Sequence, residues 1–379
     1  MDEQRLRFVV AASRRERSMT ELCREFQISR QTGYLWLSRY QQGGAAEVRE
    51  QSRRPLHHPN RTAAEVEQAV IELRRRHPDW GAGKLRVLLS QQLPQVQMHE
   101  RTLHRILLRH DLVADQDRHR PALERFERAS PNELWQMDFK GPQGFNRGSP
   151  VGPLSILDDH SRYLIELKHV GSTRGAGVRQ CLQAAFEQVG LPEALLVDHG
   201  IPWWGSAGAW GLTELSVWIL QQGVRLIYSG FRHPQTQGKV ERMHGALQRA
   251  IRQRGGDPCD QQWLDEFRQE YNQVRPHAGI GMQTPAQRWR PSSRPFVAAW
   301  PVWQYESSLE LGTVSRHGQL YWRGRDWQIG RVLREQRVGI ATLGERALVY
   351  FCRTPVRELD LRTGRAVPIP LDGVRSLQR

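Results

Sequence analysis

Long apolar runs are missing from this chain of 379 residues. Near the start only Phe8-Val9-Val10-Ala11-Ala12 is continuously apolar, too short for a signal peptide, and no stretch reaches the length that spans a bilayer. Cysteine is scarce: Cys23, Cys181, Cys259 and Cys352 lie in separate segments without C-x-x-C spacing. That argues against a zinc ribbon or a disulfide framework and fits a reducing cytosol. Acidic residues are the minority charge, 40 Asp and Glu against 55 Lys and Arg, for a formal net charge of +15. The excess points to a polyanionic partner, nucleic acid before a membrane. The expectation is a cytoplasmic protein with neither a membrane nor a small molecule as its partner.

What is present falls into segments. Residues 4–41 read as three short helices. Ser18-Met19-Thr20-Glu21 is a capping box for the second, and Ser29 caps a third whose apolar side is expected to carry Tyr34, Leu37 and Tyr40. This is helix-turn-helix spacing, and it would present Arg30, Gln31 and Thr32 to a major groove. A basic stretch rich in Gly and Pro, from Gln42 to Asn60, reads as a linker. A second three-helix unit follows, its last helix offering Arg101, Thr102, His104 and Arg105. From residue 133 the pattern changes to strands at 134–140, 153–158 and 162–169, then helix and strand in alternation, which predicts a mixed α/β sheet. Residues 309–362 show short β-rich runs and predict a small β-barrel, with Arg323, Arg325, Arg331, Arg334 and Arg337 as a basic surface near Trp322 and Trp327. The expected domains are 1–45, 60–115, 128–290 and 300–365.

Three carboxylates stand at the ends of these elements. Asp138 closes the first strand, Asp198 the fourth, and Glu241 lies in the first turns of the helix after Pro234. Phosphoryl transfer needs little covalent chemistry from a protein, but it does need two divalent cations that stabilise the attacking and leaving oxygens. Hard cations take carboxylate oxygens, and Mg²⁺ usually takes only a few. Neighbouring strands lie about 4.8 Å apart, so two strand-end aspartates can share one ion. The reading is therefore a two-ion site for Mg²⁺ or Mn²⁺ held by Asp138, Asp198 and Glu241.

The motifs around these carboxylates are Trp135-Gln136-Met137-Asp138-Phe139-Lys140-Gly141, Leu157-Asp158-Asp159-His160-Ser161-Arg162-Tyr163, Asp198-His199-Gly200, His233 to Arg242, and Tyr271-Asn272-Gln273-Val274-Arg275-Pro276-His277 with Thr284-Pro285. In order and spacing the block resembles the catalytic core of the integrase-type DDE transposases of bacterial insertion sequences, relatives of the retroviral integrases. The two preceding helix-turn-helix units resemble the single-frame members of that group. The resemblance implies a multidomain protein: all-α helix-turn-helix units, an α/β RNase H-like mixed-sheet core and a small C-terminal β-barrel. It further implies metal-dependent nicking at element ends and joining of the freed 3′-OH to target DNA, by a homo-oligomer acting on double-stranded DNA. Two other readings are a DNA-binding regulator with an inactive core and a nuclease that cuts without joining.

Several neighbours are weighed beside the triad. Asp158 and Asp159 also end a strand, but in the family that pair opens a turn and binds no metal. His199 is a candidate for contact with DNA or a metal-bound water. Lys239 and Arg242 are candidates for phosphates, Gln235 and Gln237 for positioning DNA ends, and Arg249 for contact with DNA. Gln248 stands where relatives commonly carry a basic residue. Gly200 to Gly211, with Trp203, Trp204 and Trp210, reads either as a mobile flap or as a loop packed on the core. The Arg275-Pro276-His277 turn is expected to anchor a helix end.

Overall fold

The computed structural model describes residues 2–49, 62–113, 127–140, 152–205, 211–229, 238–298 and 302–369. They divide into two compact units, Met1–Ala63 and Ala64–Arg379. The first is the helix trio α1 (Asp2–Ser13), α2 (Met19–Glu25) and α3 (Arg30–Gly43). Ser18 and Glu21 form the capping box of α2, and the Ser29 hydroxyl accepts from Thr32 N–H at 3.1 Å to cap α3. Such caps contribute about 1 kcal/mol each. The inward face of α3 differs from expectation by one residue. Trp36, Leu37 and Tyr40 join the core around Phe8, Leu22 and Cys23, but Tyr34 is 58% exposed. Gly33 takes the inward place, where a Cβ would lie 2.7 Å from Cys23 Sγ and 2.8 Å from Phe8.

The second unit opens with α4 (Ala64–Arg76), α5 (Ala82–Gln92) and α6 (Glu100–Arg109) around Leu73, Trp80, Leu85 and Ile106. Next come β1 (Trp135–Phe139), β2 (Leu154–Asp158), β3 (Leu164–Lys168), α7 (Gly175–Val189) and β4 (Ala194–Val197). A short hairpin, β5 (Trp204–Gly205) with β6 (Gly211–Leu212), precedes α8 (Glu214–Gln221), β7 (Arg225–Tyr228), α9 (Gly238–Arg254), α10 (Gln261–Gln273) and α11 (Pro285–Arg288). The central sheet has the order β3-β2-β1-β4-β7, antiparallel through β1 and parallel from β1 to β7. Alternation along β1 divides the layers. Trp135 and Met137 enter the cluster built with Val178, Leu182 and Phe186 of α7, which turns Gln136 and Asp138 toward the opposite face. There Val240 N–H of α9 donates to Gln136 Oε1 at 3.3 Å.

A buried charge network ties α4–α6 to this layer. Asp79, between α4 and α5, is closed to solvent. It accepts from Arg275 at 2.9 Å and from Arg254, the last residue of α9, at 2.9 Å through Nε. Arg254 also donates to Glu270 of α10 at 2.5 Å, and His77 Nδ1 lies 3.1 Å from the same carboxylate. The Arg275-Pro276-His277 turn thus anchors helix ends, as its sequence suggested.

Beyond α11 lie β8 (Glu310–Thr313), β9 (Gln319–Trp322), β10 (Arg325–Gln328), β11 (Arg337–Leu343), β12 (Arg346–Phe351), β13 (Thr354–Asp360) and β14 (Arg365–Pro368). They form a five-stranded antiparallel sheet, β14-β13-β12-β11-β8, and a β9–β10 hairpin. The expected barrel does not appear: among the described strands the sheet remains open, with β14 and β8 at its edges. The expected basic surface is partly neutralised internally. Arg323 pairs with Glu310 at 2.8 Å and Arg334 with Glu214 at 3.1 Å, while Trp322 and Trp327 are core residues. Among the described residues no helix is long and apolar enough to cross a membrane.

Two outcomes follow from the network. Asp79→Ala leaves Arg254 and Arg275 without their shared anion and should cost about 3–5 kcal/mol in denaturant unfolding; a loss below 1 kcal/mol would contradict a closed pair. Burial alone would raise Glu270, but hydrogen bonds from His77 and Arg254 outweigh it and bring the carboxyl down to about 2. A depressed acid contributes stability above its ordinary value and loses it as pH falls. Melting temperature should therefore drop between pH 4.5 and 2, and Glu270→Gln should flatten that slope.

Candidate active site

The parallel pairing of β1 with β4 sets Trp135 opposite Leu195 and Gln136 opposite Leu196. Carried two residues on, that register sets Asp198 level with Asp138 at the strand ends. Glu241 sits in the first turn of α9, the helix laid on this face. The three are coupled electrostatically. Burial first, then the Asp198 charge, push Asp138 up to about 7, and Glu241 adds to the rise. Glu241 is itself raised by burial and lowered by Lys140. Lys140, two residues past Asp138, acts on both carboxylates. Asp198 is held at its base by Gly200 N–H, 3.0 Å from Oδ1, and a Cβ on Gly200 would press within 3.0 Å of Oδ2. The small residue in Asp198-His199-Gly200 thus keeps the carboxylate free of a neighbouring side chain.

His244, one turn past Glu241, completes the arrangement and was not singled out in the sequence. It is 4% exposed. Its Nε2 lies 2.9 Å from Ser155 Oγ and its Nδ1 3.8 Å from Asp138 Oδ2. Burial, reinforced by Lys140, lowers its ring to about 3, so the imidazole is neutral. Ser155 is the residue directly opposite Asp138 in the β1–β2 ladder.

Asp158 and Asp159 belong to the other end of the sheet, Asp158 facing Trp135 at the start of β1. Both are fully committed. Asp158 accepts from Asn132 N–H at 2.8 Å, Ser161 N–H at 2.7 Å and Ser161 Oγ at 2.5 Å. Asp159 accepts from Arg128 N–H and Gln136, and pairs with Lys239 Nζ at 2.5 Å. Lys239, expected to face phosphate, is thus turned inward with only 11% of its side chain exposed. It lies two residues from Glu241, about 200° away around the helix.

The remaining candidates scatter. Arg242 is exposed beside Glu241, and Arg249 is half-buried. Gln235 and Gln237 lie outside the described residues. His199 packs against Trp204 and Tyr228 at ring distances of 4.9 and 5.4 Å. Trp203 is buried against Phe139, and its carbonyl accepts from Ser216 and Tyr228, so this part of the loop is packed on the core. Trp210 lies outside the described residues. Arg30 and Gln31 are exposed on α3 while Thr32 is half-buried under its cap; Arg101, His104 and Arg105 are exposed on α6, with Thr102 half-buried.

The donor set suits a hard divalent cation: three carboxylates, one of them raised by its like-charged neighbour, which a cation would reverse. Among the described residues no three His, Cys, Asp or Glu side chains converge closely enough to ligate one ion. A Mg²⁺ site completed by water and phosphate does not require such a cage.

Comparison with known families agrees with this layout. An integrase core domain matches residues 128–234, and a second integrase core model matches 222–285. A helix-turn-helix domain matches 4–55, a homeodomain-like domain 32–107, and the C-terminal domain of IS481 family transposases 310–367. Helix-turn-helix, integrase core and IS481 transposase C-terminal models thus match this chain in succession. An uncharacterized 39.2 kDa protein of insertion element IS476 from Xanthomonas euvesicatoria is 25% identical over 234 residues, 58% of this chain and 62% of that protein. A 31.7 kDa protein of IS407 from Burkholderia multivorans is 24% identical over 169 residues, 42% of this chain and 55% of the relative. The chain thus spans under two thirds of either relative's length. Among solved structures, a simian T-cell lymphotropic virus intasome aligns over 75% of this chain and 96% of its own, at 15% identity and a TM-score of 0.38.

Structural and chemical carboxylates should separate in a melting experiment. At pH 8 Asp158→Asn loses charge-assisted bonds and should cost roughly 1.5–3 kcal/mol. Asp138→Asn removes a buried charge beside Asp198 and should raise the melting temperature. Equal effects would show that the two sites do not differ in this way.

Proposed function

We propose that this protein binds the terminal repeats of an insertion element, nicks DNA to free a 3′-OH, and joins that end to target DNA. The observation that carries the reading is the convergence of Asp138 and Asp198 on one strand edge beneath the helix bearing Glu241, inside an integrase core of a strongly basic chain. In this reading Asp138, Asp198 and Glu241 hold two Mg²⁺ or Mn²⁺ ions. When bound, these supply Lewis-acid charge to the scissile phosphate and the attacking oxygen. The chain's own residues do the remainder. Lys140 sets a cation beside the carboxylates, where it also meets phosphate charge. Exposed Arg242 extends that positive surface along α9. Arg30 and Gln31 on α3, and Arg101 and Arg105 on α6, read or grip duplex DNA, base edges for specificity and phosphates for register. The C-terminal β-rich region adds low-specificity affinity through Arg325, Arg331 and Arg337. Two ends must be held together for joining, so the working form is a homo-oligomer.

The test uses labelled duplexes carrying the element ends, with Mg²⁺ or Mn²⁺. Wild type should give nicked and joined products. Asp138→Asn, Asp198→Asn and Glu241→Gln should each reduce both by at least 10³-fold while end binding survives. Nicking without joining would replace the reading with a nuclease, and binding without cleavage with a DNA-binding regulator.

A further inference from the structure

Besides the three carboxylates, one buried polar pair faces the same edge of the sheet. Ser155 is inaccessible to solvent and sits across the β1–β2 ladder from Asp138. Its hydroxyl meets His244 Nε2 at 2.9 Å, which leaves Nδ1 aimed at Asp138 Oδ2 across 3.8 Å. His244 follows Glu241 by three positions, so both project from one face of α9.

The direction of the chain Ser155–His244–Asp138 follows from donor chemistry. A neutral imidazole has one N–H and one lone pair. Once ionised, as a bound cation would hold it, the Asp138 carboxylate only accepts, so the nitrogen facing it must carry the proton for the contact to be favourable. Nε2 then accepts from the Ser155 hydroxyl, which fixes the tautomer. The 3.8 Å gap exceeds a hydrogen bond. It closes by rotation of the Asp138 carboxylate about its terminal torsion, which is broad. Ser155 and His244 are both buried.

We propose that His244, oriented by Ser155, is a positioning residue that sets the rotation of the Asp138 carboxylate for cation binding. This rests on Asp138 being a metal ligand, as proposed above. Partners that orient ligating side chains typically contribute 10–100-fold in metal affinity or activity.

The experiment is a Mn²⁺ titration of the full chain without DNA, followed by loss of the free-ion EPR signal, with melting temperature recorded for each variant. Wild type should bind Mn²⁺, and Asp138→Asn should lose that site. His244→Ala should weaken binding about tenfold or more, and Ser155→Ala should weaken it less in the same direction. His244→Asn places a carboxamide nitrogen near the position of Nδ1 and should recover most of the affinity, which a merely space-filling role would not predict. Equal binding by wild type and Asp138→Asn would overturn the ligand assignment and this proposal together. Weak binding by Asp138→Asn with wild-type affinity in folded His244→Ala would overturn the positioning role alone. Should His244→Ala fail to fold, Ser155→Ala decides: weakened binding upholds the proposal and unchanged binding overturns it.

Discussion

The parallel contact between β1 and β4 is the constraint on which the site depends. Parallel strands end on the same side of a sheet, and their partners must be reached by a crossover rather than a tight turn. Here β2, β3 and α7 fill that crossover. The same pairing that buries Met137 and Val197 in the apolar layer carries Asp138 and Asp198 to one edge. Burial first, and then the Asp198 charge, raise Asp138, so holding its charge there is a cost built into the fold. Hydrophobic burial on one face of β1 therefore holds an unfavourable charge arrangement on the other.

Much of the second unit was legible because its strands are short apolar runs bounded by turn residues. The predicted strands at 134–140, 153–158 and 162–169 correspond to β1, β2 and β3 within a residue or two. Where periodicity carries no signal, the reading slipped. Gly33 has no side chain to mark an inward position, so Tyr34 took its place in the prediction. Strand β13 contains Pro355, which seldom sits inside a sheet; Pro355 lies opposite Tyr350, beside the irregularity in the β12–β13 ladder. The exposed edges β8 and β14 have too little apolar content to stand out.

Within the site, the strand-end aspartates were visible as isolated acids in a basic, apolar context. His244 was not, since a lone histidine in a helix says nothing until tertiary packing brings Ser155 to it. Lys239 shows the converse. Proximity in sequence placed it beside Glu241, but helical phase sends it to Asp159 instead. Counting degrees around the helix, rather than residues along it, would have separated the two.

Helix α9 holds the site at one end and the Asp79–Glu270 network at the other, through Arg254. Each residue inserted or removed between His244 and Arg254 would rotate one end by about 100° relative to the other. Either the histidine leaves Ser155 or the arginine leaves Asp79, and no local rearrangement of a rigid helix restores both. Substitutions along this stretch can be absorbed one side chain at a time, whereas changes in its length cannot. The ten positions that separate His244 from Arg254 act as a fixed gauge between two buried sites.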